Sequence, residues 1–229
     1  MKYYKVLNNK GECINGGKGK WYLPTKQKDG TWEPGKWMPV IDGELEACRH
    51  GYHLCRPNDL IFWLNEAIFE AEFVGESVNI CNKIVVRKAR LVRKIENWNE
   101  KTARLFACDC AEHVLPIFEK QYPGDKRPRH AIKTARRFAL GTATQDELDA
   151  ARTAAWEAAW EAARAAAWEA AWEAARAAWE AARAAARTAE GAAARTAAWA
   201  AGEAAWDAGE AVWDAEMKWQ TKKLLKIIN

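Results

Sequence analysis

The chain of 229 residues has no long apolar run, no strong excess of one charge and no repeated cysteine pair. A helix that crosses a bilayer needs ~20 consecutive apolar residues, and nothing here approaches that. The opening MKYYKVLNNKGEC also lacks the apolar core of a secretory leader. Membrane insertion and secretion are therefore not expected, and a cytoplasmic location is. Lys and Arg total 35 against 31 Asp and Glu, a formal charge of +4, too mild and too dispersed for a nucleic-acid footprint. The six cysteines fall at irregular spacings, which reads as reduced thiols rather than a disulfide framework. No complete catalytic set and no cofactor motif stands out, so a binding protein without a cofactor is expected in preference to an enzyme.

What is present changes twice along the chain, and the expected fold is α+β: a small α+β domain over 1–97, then an Ala/Trp-rich helical bundle or repeat over 98–229. The first region holds most of the Gly and Pro. Met1 to Leu7 and Lys83 to Val92 have the β-branched and aromatic content of strands. Pro57 to Phe69 (PNDLIFWLNEAIF) opens on a helix-start signal and places Leu60, Trp63, Leu64 and Ile68 on one helical face. A helix is predicted there.

Residues 100–120 repeat apolar positions at three and four, with Leu105, Cys108, Leu115 and Phe118 on the buried side. Pro116 is expected to kink or split that helix. Tyr122-Pro123-Gly124-Asp125 is a turn, with Asp125 placed to cap a helix through Ile132, Ala135 and Phe138. Gly141 can end it, and Thr144 to Glu147 has capping-box spacing for the next.

Of the 65 residues 151–215, 34 are Ala, the best helix former. The unit WEAAWEAARAAA (156–167) recurs as WEAAWEAARAAW (168–179). Trp and Arg alternate every fourth residue, and a four-residue step drifts about 40° around a helix axis. The tryptophans cannot all face one partner on a straight helix, so either neighbours wrap it on several sides or it is cut into shorter helices, with Gly191, Gly202 and Gly209 as candidate breaks and a reversal expected near Glu190-Gly191. The closing WQTKKLLKIIN offers Leu224, Leu225, Ile227 and Ile228 for docking.

Candidate ligand- or partner-binding residues are Arg49, His50, His53, Arg127, Arg129, Trp160, Arg164, Trp172 and Arg176. Trp160/Arg164 and Trp172/Arg176 offer cation–π contacts or a stacking pocket, although packing alone produces the same spacing. Cys48, His53 and Cys55 form the densest metal-capable group, since alternate strand residues share a face. Their spacing is not a zinc pattern, and buried thiols with a hydrogen-bonded histidine are the preferred reading. Arg104, Arg127, Arg129 and Arg136 stand near enough in a helical hairpin to neutralise Asp109 and Glu112, as a structural ion-pair network rather than an anion pocket.

Residues 98–229, through Asp109-Cys110, Val114-Leu115-Pro116, Arg127-Pro128-Arg129, Ala131-Ile132 and Ala135-Arg136, resemble an immunity-protein family found near polymorphic toxins and in phages. The resemblance implies an all-helical fold and a protein partner, a toxin or defence effector, held by occlusion. Residues 43–64 resemble a small phage and bacterial domain, and Gly51 to Cys55 with the Pro-started segment after it is similar to a strand and helix of ADP-ribosyltransferase folds. Two further expectations follow: a nucleotide signal sequestered in a Trp/Arg pocket, or transferase activity in the first domain.

Overall fold

A computed structural model describes residues 2–14, 19–155, 157–158 and 214–229. It divides into two compact units, Met1–Phe106 with Met217–Asn229, and Ala107–Glu216. Strands in the N-terminal part are followed by helices, the mixed α+β class expected.

In the first unit the strands are β1 (Tyr3–Leu7), β2 (Thr25–Lys26), β3 (Trp32–Glu33), β4 (Tyr52–Leu54), β5 (Ala67–Ile80) and β6 (Lys83–Lys94). The main sheet runs β1-β5-β6-β4, every pairing antiparallel. β5 and β6 form a long hairpin around Cys81 and Asn82, with register shifts at Glu70/Ala71 and Val74/Ser77. β1 reaches along β5 only to Ala71. Beyond the end of β4, Cys55 exchanges backbone hydrogen bonds with Tyr4, 2.8 Å and 2.7 Å. The two edges of the sheet meet there, and four strands become a small ring. The rest of the outer edge of β6 is covered by Gly35, Met38 and Ile41, whose amides donate to Leu91, Ala89 and Arg87.

The core is one cluster in which Leu7, Leu54, Phe69, Val86 and Leu91 pack with Trp21 and Met38. Each fully buried Leu or Val contributes about 1.5–3 kcal/mol. On the hairpin Arg90 pairs with Glu72 and Arg93 with Glu70, the latter at 2.7 Å, each directly across from its partner.

The helix predicted over 57–69 is not what forms. A 3-10 helix spans Pro57–Phe62, and Ala67 onward is β5. From Phe69 the sequence alternates, Phe69, Ala71 and Phe73 against Glu70 and Glu72, and the sheet claims that period. Asp59 and Arg56 form an ion pair that anchors the 3-10 turn, and the Arg56 guanidinium donates to the carbonyls of Ile80 and Cys81, 2.9 Å each.

Helix α1 (Glu100–Gln121) crosses from the first unit into the second, and α2 (Arg127–Ala139) follows. Pro116 lies inside α1 without splitting it. It and Glu112, whose carbonyl it leaves unpaired, are both exposed, so water can take the acceptor. Cys108 and Leu115 are buried, as expected. Asp125 does not cap α2 by the usual geometry; Lys126 is the cap residue, and Asp125 accepts instead from the Arg127 amide at 3.0 Å and from its guanidinium. Leu140 closes α2 and Gly141 follows at φ +75°, where glycine carries no Cβ penalty. Thr144 and Glu147 exchange both bonds of a capping box, 2.7 Å and 3.2 Å, ahead of a helix over 145–155. Residues 214–228 are helical, with Leu224 and Ile228 buried. The expected turns at Gly191, Gly202 and Gly209 lie outside the described residues.

Gly35 is held by a close approach: a Cβ there would sit 2.1 Å from the Tyr22 carbonyl oxygen, whereas nothing lies within 4 Å at Gly19. Gly35→Ala should lower the denaturation midpoint in urea by the equivalent of roughly 1–3 kcal/mol. Gly19→Ala should leave that midpoint unmoved.

Candidate functional site

The ring closure places four polar side chains around one cavity in the first unit, about 670 Å³ in volume, within the ~300–1,000 Å³ range of small-molecule pockets. Lys5 shares its face of β1 with Tyr3 and Leu7, so a lysine stands on the core side of a strand. Its ammonium donates to the His53 carbonyl at 3.0 Å and lies 5.1 Å from the Trp21 ring centre. Lys83, at the start of β6, donates to the Cys48 sulfur at 3.0 Å and lies 4.8 Å from the Trp63 ring. Trp21 packs edge-on against Tyr52 at 5.3 Å, and the Trp63 indole donates to the Asn82 carbonyl at 2.9 Å.

The His53 ring is neutral by construction. Its Nε2 accepts the Cys48 amide at 3.0 Å, which leaves the ring proton on Nδ1. Burial, and then the Lys5 and Lys83 charges, lower its pKa to about 4. Burial pushes the Cys55 thiol up to about 12, so it is an uncharged and unreactive sulfur at neutral pH. Cys48 occupies the left-handed region at φ 64°, uncommon for a residue with a Cβ. A tight turn holds it there, in which Glu46 and His50 exchange backbone hydrogen bonds. No Asp or Glu is among the described residues that line the cavity. The arrangement supplies positive charge and aromatic walls, and no carboxylate to act as a base.

Of the residues singled out by sequence, Arg49 and His53 line this cavity with Cys48 and Cys55. His50 does not appear in the wall; its Nε2 donates to the Asp42 carbonyl at 2.6 Å on the exposed side of the turn. Cys48, His53 and Cys55 do not form a metal site: among the described residues no group of three His, Cys, Asp or Glu could hold an ion. The Cys48 thiol turns to Lys83, and the one free lone pair of the His53 ring is spent on a backbone amide.

The helical hairpin of the second unit has an ion-pair network, but with other partners than expected. Arg136 pairs with both Asp109, at 2.6 Å, and Glu112. Arg129 pairs with Glu119, Arg127 with Asp125 and Arg104 with Glu100. Glu119 lies two turns further along α1 than Glu112, and in an antiparallel hairpin that sets it level with Arg129, two turns before Arg136 on α2. Trp160, Arg164, Trp172 and Arg176 lie outside the described residues. Sequence reading missed Lys5, Trp21, Trp63 and Lys83; the available signal was the two-residue alternation that puts Lys5 beside Leu7.

Residues 93–226 match the family described as Imm-5 like putative immunity protein. No curated protein and no solved structure matches the chain. The cavity residues, Lys5 to Lys83, all precede the matched segment.

Because the folded state holds His53 near 4 while the unfolded chain titrates at about 6.5, the unfolded state binds more protons between those values. Stability should therefore fall as pH drops from about 6.5 toward 4. His53→Gln keeps an acceptor for the Cys48 amide without titrating. In melting curves across that window it should show a shallower decline than the parent.

Proposed function

The chain belongs to the Imm-5 like immunity-protein family, and on that premise we propose that it is a cytoplasmic, non-enzymatic factor of phage or mobile-element type that neutralises a toxin or defence effector by occluding it. The match over residues 93–226, more than half of the chain, carries this reading. Two exposed apolar side chains in the helical unit support a protein-binding face: Ile117 on α1, 64% exposed, and Leu140 after α2, 55% exposed. The ion pairs from Arg136 and Arg129 fix the hairpin that presents them. Single exposed apolar residues are common, and these two stand at opposite ends of the hairpin, so each counts by itself as an interface anchor.

The rival reading, a transferase built on Gly51 to Cys55, would need an acidic residue at the cavity, and none is among its described lining residues.

Cross-linking of the tagged chain in its native host should capture a protein whose toxicity is suppressed when the chain is co-expressed. Ile117→Asp should abolish that suppression while leaving the melting temperature within a few degrees of the parent. Capture of no protein, or a captured protein whose toxicity is unaffected, would overturn the reading.

A further inference from the structure

The cavity of the first unit has an imbalance of charge that its own residues do not correct. Lys5, Lys83 and Arg49 face it and no carboxylate does, among the described residues. Arg49 is paired outside with Glu46 at 3.0 Å. Lys5 and Lys83 form no ion pair among the described residues, and each uses one of its three N–H donors, on a carbonyl and on a thiol. The sulfur nearest in character to a counter-charge, Cys55, is neutral. A buried ammonium with one hydrogen bond is costly, and burial accordingly pulls the Lys5 pKa down, with Lys83 adding to the effect.

Nor is the lysine there to fill space. A methionine of similar length would complete the apolar side of β1 beside Leu7 at no charge cost. The remaining wall is flat and aromatic: the rings of Trp21, Tyr52 and Trp63 stand beside the two ammonium groups. Spare cationic donors beside aromatic faces define a ligand with a compact oxyanion at one end and a planar apolar body at the other.

We propose that this cavity is a binding site for a small aromatic oxyanion, a carboxylate or phosphate whose charge is taken by Lys5 and Lys83 and whose ring lies against Trp21 and Tyr52. This function is separate from the helical region and stands whether or not that region occludes a protein. A bound oxyanion would supply the missing acceptors and offset the desolvation of Lys5.

The test uses the full chain, with naphthyl phosphate and naphthoate as the two oxyanion probes and naphthol as the uncharged control. Binding is read by tryptophan fluorescence quenching and by calorimetry. Saturable one-to-one binding of at least one anion is expected, with naphthol at least ~10-fold weaker, and the preferred anion tells phosphate from carboxylate as the natural head group. Lys5→Met and Lys83→Met should each weaken that binding by ~10-fold or more, the worth of a hydrogen bond to a charged group. Both should melt cooperatively. Should Lys5→Met fail to fold, Lys83→Met, on the strand end, carries the same comparison. Binding of neither anion, equal binding of naphthol, or lysine variants that bind like the parent would overturn the proposal.

Discussion

Two backbone hydrogen bonds between Tyr4 and Cys55 decide what the first unit can be. Without them β1 and β4 would be opposite edges of an open sheet. With them the edges meet, and residues 48 positions apart in sequence, Lys5 and His53, share a wall. The aromatic groups follow from that closure, since Trp21 can lie over Lys5 only while also packing against Tyr52 on β4. Closure also explains why a lysine can stand on the core side at all. Its carbonyl partner is supplied by the far edge of the same sheet, and its indole by Trp21 in the segment ahead of β2.

Much of this fold was legible in the chain. The strands over Met1 to Leu7 and Lys83 to Val92, the capping box at Thr144 and Glu147, the stop at Gly141 and the buried stripe through Cys108 and Leu115 each depend on residues close in sequence, where local chemistry is decisive. The segment after Pro57 misled because Leu60, Trp63, Leu64 and Ile68 fit a helical stripe while Phe69 to Phe73 fit a strand. The choice belonged to the pairing with β6, which lies outside any local window. Long-range pairing likewise hid the site. Arg49 and His53 were visible as a dense polar cluster, whereas Lys5 looked like an ordinary strand lysine until the ring closed around it. Where the side chains of Cys48 and His53 turn was equally out of reach, since proximity in sequence does not say that one meets Lys83 and the other a backbone amide.

The helical unit shows a different economy. Arg136 bridges two acids on α1 and Arg129 a third, so guanidinium forks help to fix one helix against the other. That leaves apolar residues such as Ile117 available to face outward. The family match covers residues 93–226, while the cavity belongs to the strand-rich unit ahead of it.

The short reach of β1 has a further consequence. Past Ala71 the outer edge of β5 runs on toward Ile80 with its side chains largely exposed, including Val74 and Val78. An edge of that length, left unpaired by the described residues, invites strand addition and, at high concentration, fibril growth. The irregularity around Gly75 and the carboxylate of Glu76 interrupt it, bending the ladder and setting a charge where an incoming strand would need a flat, neutral template. A two-residue bulge thus guards this stretch of the edge against strand addition.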